Sequence, residues 1–353
     1  MISRALAAAT AALLVLASAS GAQAAPPWDG PMALAEGLIT PLHLAAGPFG
    51  SVTVSEGVAS RLTTVAGGEA RTVYEALGWD VGGVDYDGGT LVFVESRGGG
   101  PDPSPRVGLL KDIDPDGGVR TVTDFVARYG IDHDPDRDVR YGLSASDVSA
   151  NGGCVAELAA AGIPASYTGA AVATDSHLVS VAVAGGTAYV ADAGANTVLA
   201  VDLRFGVISS VTVLPAMEAV LSDESTRALG APSCAGLRYA FEGVPTDVEV
   251  GPDGRLFVSA VPGGAAQDIA PPQGAVYRVD TLTGAVELYA DELITPTGIA
   301  LDAAGSLYIA SLFGPGILKV APGGGEAGLY LPAFRVADVE VHRSRLFATT
   351  RVL

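Results

Sequence analysis

The sequence predicts an all-β fold, a six-bladed β-propeller of the NHL or TolB type with four strands in each blade. Three observations predict it. A pattern of two short segments with alternating apolar residues recurs six times along the chain. A turn rich in Gly or Asp joins the two segments of each copy. Two further strand-like segments usually follow, so the units are spaced by roughly forty residues, as in propeller blades.

The repeated pattern is clearest in PTDVEVGPDGRLFVS (245–259) and PTGIALDAAGSLYIA (296–310), which align without gaps. Alternation of apolar residues is the period of a strand, and PDG, AAG and DGG favour tight turns. Each copy is therefore a predicted hairpin that starts with the inner strand of a blade. The other four copies cover 41–55, 81–96, 178–193 and 336–350.

The ring is predicted to close across the two termini. The last copy ends close to Leu353 after two strands, and MALAEGL (32–38) has no partner of its own near the N-terminus. We expect this segment to supply an outer strand to the last blade. Closure of this kind removes the unpaired sheet edge that an open ring would expose.

Two inserts interrupt the regular spacing, at about 126–176 and 215–243, before the third and fourth inner strands. Within them, AELAAAGIP (156–164) and AMEAVLSDESTRALG (216–230) have helical composition. Both inserts join an outer strand to the next inner strand, so both are predicted to emerge on one face of the ring.

The N-terminus is typical of a secretory signal peptide. Arg4 precedes an apolar run over 5–19, and Ala22-Gln23-Ala24 matches the pattern of a cleavage site. We expect a signal peptide over 1–24, cut after Ala24, and a single propeller domain over 25–353. The run is short for a membrane span, and no Cys near the cut could carry a lipid. The sequence thus predicts a secreted, monomeric protein with no membrane span.

Acidic residues outnumber basic ones, 39 against 20, and the net charge is −19 at pH 7. Such a surface repels phosphate backbones, which argues against nucleic acid as a partner. A small molecule, a glycan or a protein is the expected partner class.

The two cysteines, Cys154 and Cys234, lie one in each insert. In an exported chain, an isolated pair favours a disulfide, which would join the inserts into a small cap. Two buried thiols and a metal site remain as alternatives, although no CxxC and no nearby His supports a metal.

Several stretches resemble the ScyD/ScyE family of exported bacterial proteins, and the likeness covers essentially the whole mature chain. Three of them are 175–202, VPTDVEVGPDGRLFVSAVPGG (244–264) and GAVYRVDTLTGAVELYA (274–290). Two more resemble the actinobacterial members of the family, namely SYTG (166–169) and YAFEGVPTDVEV (239–250). The resemblance implies a six-bladed, NHL-like propeller. It implies no agreed activity.

Aligning the six inner strands separates packing positions from candidate site positions. One apolar column holds Leu44, Val84, Val181, Val248, Ile299 and Val339, and is predicted to pack blade against blade. The interleaved positions mix small residues with five acids, Asp85, Asp247, Glu249, Asp338 and Glu340. Carboxylates that converge on one channel repel one another and favour a cation, and hard oxygen ligands suit Ca²⁺. The alternative is a wet channel whose acids are solvated or paired with Arg.

Other polar residues are weaker candidates. His43, Ser180 and His177 lie at or near the starts of inner strands and are predicted to face the channel mouth. In IDHDPDRD (131–138), Asp132, Asp134 and Asp136 match the start of a calcium loop. The closing positions do not match, so a solvated acidic loop is favoured.

Three functions are compatible with these residues. The favoured one is a non-enzymatic binding or scaffold protein that presents a loop-rich face, because no catalytic motif such as GxSxG or HExxH is present. The alternative is a metal-dependent lactonase or hydrolase whose channel cation polarises a carbonyl. A quinone-dependent sugar dehydrogenase ranks third, because the opening stretch 37–57 resembles the first blade of such proteins.

Overall fold

The protein is described by a computed structural model that covers residues 11–17, 30–99, 102–125, 129, 133–171, 176–271 and 273–353. The predicted cleavage residue Ala24 lies outside these residues. In the described part of the chain, no helix has the length and apolarity needed to cross a membrane.

The described strands form six antiparallel sheets, which confirms an all-β propeller architecture. The first sheet contains β3 (Pro41–Ala46), β4 (Val52–Glu56), β5 (Arg61–Ala66) and β6 (Glu69–Glu75). The second contains β7 (Asp80–Asp87), β8 (Thr90–Gly99), β9 (Asp102–Ile113) and β10 (Val119–Asp124). The third contains β13 (Leu178–Ala184), β14 (Thr187–Asp192), β15 (Thr197–Asp202) and β16 (Ile208–Val213).

The other three sheets follow the same order from the inner to the outer strand. The fourth contains β18 (Arg238–Val250), β19 (Leu256–Gly263), β20 (Gln273–Val279) and β21 (Val286–Ile294). The fifth contains β22 (Pro296–Leu301), β23 (Leu307–Ser311), β24 (Gly316–Val320) and β25 (Gly328–Pro332). The sixth contains β26 (Asp338–His342), β27 (Arg345–Thr350), β1 (Ala11–Ala17) and β2 (Met32–Leu38).

The inner strands contact one another in a cycle. β3 contacts β7, β7 contacts β13, and β13 contacts β18. β18 contacts β22, β22 contacts β26, and β26 contacts β3 again. The apolar column of the inner strands is buried between these neighbours, as predicted: Leu44, Val84, Val181, Val248, Ile299 and Val339 are each no more than 5% exposed.

The turns of the inner hairpins have the predicted local chemistry. Between β22 and β23, Gly305 adopts a positive φ of 84°, which a residue with a side chain rarely adopts. The carboxylate of Asp302 accepts hydrogen bonds from the backbone N–H groups of Ala304 and Ser306. These bonds satisfy the turn's backbone and fix the point where the strand reverses.

The sixth sheet combines both ends of the chain. β27 pairs on one side with β26 and on the other with β1, and β2 pairs with the far side of β1. β2 coincides with the predicted outer segment 32–38. β1 lies within the predicted signal peptide 1–24, so the same residues are a candidate leader and an observed strand.

The two inserts form a cap. The first contains β11 (Arg140–Gly142), α1 (Ala145–Ala150), α2 (Gly152–Ala160) and β12 (Ser166–Thr168). The second contains β17 (Met217–Val220) and α3 (Asp223–Leu229). A disulfide joins Cys154 to Cys234, as predicted. Around it, Leu158, Leu221, Tyr239 and Phe241 belong to one buried cluster.

Two helix predictions in the cap are wrong in extent. The helix predicted over 156–164 is α2, which begins at Gly152 and ends at Ala160. The helix predicted over 216–230 is confined to α3. Ser222 caps its start by accepting from the N–H of Ser225, and Gly230 ends it in the left-handed conformation. The residues before Ser222 instead pair with β18 as β17.

The disulfide is expected to stabilise the cap. Its loop of eighty residues corresponds to about 4–5 kcal/mol in the chain-entropy treatment. Replacing both cysteines by Ala should therefore lower the free energy of unfolding measured in denaturant by several kcal/mol. Adding reductant should lower the stability of the native protein and leave the double variant unchanged. Equal stability of the two proteins without reductant would contradict this role.

Candidate functional site

Three of the five predicted channel acids bind backbone groups of the neighbouring inner strand. Asp85 accepts from the N–H of Val183 at 2.6 Å, and Asp247 from that of Ile299 at 2.7 Å. Asp338 accepts from the N–H of Leu44 at 2.7 Å. Each also accepts from the N–H of the residue that follows it. These carboxylates therefore connect the second sheet to the third, the fourth to the fifth, and the sixth to the first.

The close approach of the inner strands explains the small residues between the acids. A Cβ on Gly83 would lie 2.4 Å from the Cα of Ser180, and one on Gly298 would lie 2.1 Å from Oδ1 of Asp338. Neither position has space for a side chain. The hydroxyl of Ser180 donates to Oδ1 of Asp247 and links the third sheet to the fourth. Ser180 is 2% exposed, so the structure places this predicted binding residue in the wall of the channel.

The other two acids, Glu249 and Glu340, accept no hydrogen bond from the described residues. Burial raises the pKa of both well above its usual range. Repulsion by Glu340 and by the three aspartates adds to the shift at Glu249. Glu249 and Glu340 lie on the inner strands β18 and β26, which belong to the cycle of strand contacts. Convergence of the five acids on one channel stays a prediction. Burial likewise raises the pKa of Asp85 to about 6 and of Asp247 to about 7.

Among the described residues, no three His, Cys, Asp or Glu side chains are arranged to hold a metal ion. No Arg or Lys of the described chain forms an ion pair with any of the five acids. The carboxylate oxygens of the three aspartates accept hydrogen bonds from backbone N–H groups. Glu249 and Glu340 are therefore the carboxylates that remain to bind a cation.

An apolar cavity of about 210 Å³ opens where the inner strands begin. We call it the axial mouth. Its lining comes from strands of four sheets and from the residues next to them, including the one before β26: Leu42, His43, Val179, Ala193, Val244, Pro245, Thr246, Thr297, Leu312 and Ala337. The Thr hydroxyls of this lining donate to the carbonyls of Pro296 and Ala337. The mouth lies at the face where both inserts leave the ring, because both inserts precede inner strands.

Of the two histidines predicted at the channel mouth, one is a lining residue of the cavity. His43 is part of the lining, and burial lowers its pKa to about 4, so its imidazole is neutral at pH 7. His177 is more exposed, and its Nε2 lies 2.9 Å from Oδ2 of Asp80. The bond to His177 lowers the pKa of Asp80. Asp80 was missed by the sequence analysis. It is the first residue of the second inner strand, β7, and directly precedes the predicted copy 81–96.

An aromatic rim flanks the mouth. Phe313 follows the lining residue Leu312 and is 59% exposed, and Phe334 is 64% exposed. The guanidinium of Arg335 lies 5.6 Å from the Phe313 ring centre and 5.4 Å from that of Phe334. These side chains were not recognised in the sequence, because they lie in connections outside the repeated pattern.

The acidic stretch 131–138 joins the first insert to the third sheet. Asp132 lies outside the described residues. Asp136 is 7% exposed and accepts from the Tyr141 hydroxyl and from Nδ2 of Asn196, each at 2.9 Å. Nδ2 of Asn196 also donates to Glu242 at 2.9 Å. Asp136 is therefore a buried structural acceptor, and the prediction of a fully solvated loop is wrong at this residue.

Comparison with known proteins identifies the fold. No family model and no curated protein matches the chain. A protein of unknown function from Bacteroides thetaiotaomicron superposes with a TM-score of 0.52 at 11% identity, over 96% of this chain and 76% of that one. A gluconolactonase from Xanthomonas campestris gives 0.50 at 13% identity, over 87% and 84%. A streptogramin B lyase gives 0.49 at 14% identity, over 88% and 76%. At these identities the similarity shows the propeller fold alone.

The channel acids make stability depend on pH. Between the ordinary pKa of Glu249 and its raised folded value, the folded chain keeps a proton that the unfolded chain has lost. The free energy of unfolding should therefore fall as the pH rises through this window. Glu249→Gln removes the ionisation, so it should be more stable than the native protein at pH 8 by at least about 1 kcal/mol, the value of one pKa unit. Both should be equally stable at pH 4.

Denaturant unfolding at several pH values measures this. As a control, Asp338→Ala leaves the N–H of Leu44 without its acceptor and should cost about 1–3 kcal/mol. Identical pH profiles for Glu249→Gln and the native protein would show that Glu249 titrates normally.

Proposed function

We propose that this protein is an exported propeller that binds a small, mainly apolar molecule at the axial mouth and performs no chemistry on it. One observation carries the proposal: side chains from four sheets and from the connection before β26 line one apolar cavity at the face that carries the cap. A small molecule is favoured over a glycan, because the lining presents few polar groups. It is favoured over a protein, because the cavity is small.

The proposal includes six blades and closure of the ring across the termini. Six sheets and a cycle of six inner-strand contacts support six blades. Pairing of β1 and β2 with β27 supports closure. Export and a monomeric state belong to the same proposal, and a disulfide is the bond expected of a protein that leaves the cytoplasm.

The size and lining of the mouth restrict the ligand. An apolar cavity of about 150 Å³ accommodates benzene, so this one suits a molecule of one or two rings. Neutral His43 offers a single hydrogen bond from the lining. The exposed rings of Phe313 and Phe334 extend an aromatic surface beside it. A ligand with fused or linked aromatic rings and one polar group fits these features best.

A channel cation is the second candidate, and would support a lactonase-like enzyme. The observation in its favour is the mutual repulsion among the five acids, which a cation would relieve. Glu249 and Glu340 would hold it, and Ca²⁺ is the cation expected with such ligands. When bound, the ion would supply Lewis-acid polarisation of a carbonyl. The commitment of the three aspartates to backbone N–H groups ranks this candidate below ligand binding.

Ligand binding can be tested with N-phenyl-1-naphthylamine, an uncharged probe whose fluorescence rises in apolar sites. We expect saturable binding of one probe per chain. Val179→Trp places a ring in the mouth and should weaken binding about tenfold or more, equivalent to 1.4 kcal/mol. Val207→Trp, at an exposed position in the turn before β16, should leave affinity unchanged. No binding, or equal loss in both variants, would contradict a site at the mouth.

The cation is tested separately by calorimetric titration with Ca²⁺ and by thermal melts in Ca²⁺ and in chelator. If the ligand-binding proposal is right, the melts in Ca²⁺ and in chelator should coincide with each other, both for the native protein and for Glu249→Gln. One tightly bound Ca²⁺ that raises the melting temperature, and is lost in Glu249→Gln with Glu340→Gln, would favour the second candidate. A screen for lactone hydrolysis would then be justified.

A further inference from the structure

The third strand of the sixth sheet comes from the part of the chain that a leader peptidase is predicted to remove. β1 pairs with β27 in continuous register from Ala12, opposite Thr350, to Ala17, opposite Arg345. Its other side pairs with β2, with two register shifts. In the described chain, β2 has no other sheet partner. Loss of β1 would therefore leave two strand edges without their hydrogen bonds.

β2 cannot reproduce the antiparallel pairing that β1 makes with β27. β1 is antiparallel to both neighbours, so β2 runs parallel to β27. Only Ile39 and Thr40 separate the end of β2 from the first inner strand, which fixes its direction. The N–H of Ile39 is also bound by the buried carboxylate of Glu56. Since neighbouring strands lie about 4.8 Å apart, removing β1 leaves β27 and β2 about 9.6 Å apart, the width of one missing strand.

The new N-terminus is a poor substitute for the missing strand. Residues 25–31 include Pro26, Pro27 and Pro31, which carry no backbone N–H. A strand between two others must donate to both, so proline is confined to edges. A strand that fills the gap must therefore come from a segment other than residues 25–31.

Both faces of the gap are apolar. In β27, Leu346 and Ala348 pack in a cluster with the fifth sheet, and Phe347 packs in a cluster with the first sheet. Leu34 and Leu38 of β2 pack in that same cluster beside the first sheet. A strand placed between β27 and β2 is thus covered on both sides, as the third strand of the third sheet is. Such a strand must be uncharged and aliphatic on both faces.

We propose that removal of the leader opens a strand-binding slot between β27 and β2, and that the slot binds an extended, uncharged aliphatic segment of another polypeptide. The incoming strand would run antiparallel to both edges, and its backbone would satisfy two rows of N–H and C=O groups. Residues 11–17, AALLVLA, show the sequence type that fits. The proposal depends on leader removal and not on the ligand of the axial mouth.

The test compares the full chain with the processed chain, residues 25–353. A labelled peptide of residues 9–19, with a terminal lysine tag for solubility, is titrated into each and followed by fluorescence anisotropy. The processed chain should bind it. The full chain, whose slot is filled, should bind at least about tenfold more weakly, a difference of 1.4 kcal/mol. A control peptide with Leu13→Pro and Val15→Pro should not bind.

Hydrogen exchange provides a readout independent of the peptide. Backbone amides of β2 should exchange at least about tenfold faster in the processed chain than in the full chain. Adding the peptide should restore their protection, and the proline peptide should not. Equal protection of β2 in both chains, or equal peptide binding by both, would overturn the proposal. Neither result would bear on probe binding at the mouth.

Discussion

The crowding of the inner strands of the propeller is the constraint on which the rest of the structure depends. Strands this close leave no space for side chains at Gly83 and Gly298. They also bring backbone N–H groups of one sheet to carboxylates of the next. Asp85, Asp247 and Asp338 use this proximity as acceptors for neighbouring strands. The acids in the channel thus serve the architecture first, and any ligand at the axis must accommodate that role.

Much of the fold could be predicted from the sequence, because the information is local and repeated. Apolar alternation and Gly-containing turns defined every inner hairpin, and the buried column from Leu44 to Val339 followed from their alignment. The cap helices were predicted less well. Their ends depend on capping by Ser222 and Gly230, and β17 forms only because β18 lies beside it. Composition cannot reveal such a partner.

The candidate site was predicted in part, and for a physical reason. Alignment identified the five channel acids and His43, because these positions recur in each unit. It could not show from which backbone N–H group a carboxylate accepts a hydrogen bond. The hydrogen bond that Asp247 accepts from the neighbouring strand was therefore not predicted. Phe313 and Arg335 were missed because they lie in connections, where no repeat fixes their position, and Asp80 was missed because it directly precedes the aligned copy 81–96. The sequence also gave no sign that residues 11–17 pair with the last hairpin.

The raised pKa values of the channel acids also affect how the protein exchanges protons with its surroundings. Where the pH lies between the ordinary pKa values of these carboxyls and their raised folded values, the folded chain holds protons that the unfolded chain releases. Unfolding in this pH range therefore releases protons. The heat absorbed in a calorimeter will include the heat of buffer protonation, and will differ between phosphate and Tris at one pH. This couples the folded population to the pH of the surrounding medium without any ligand.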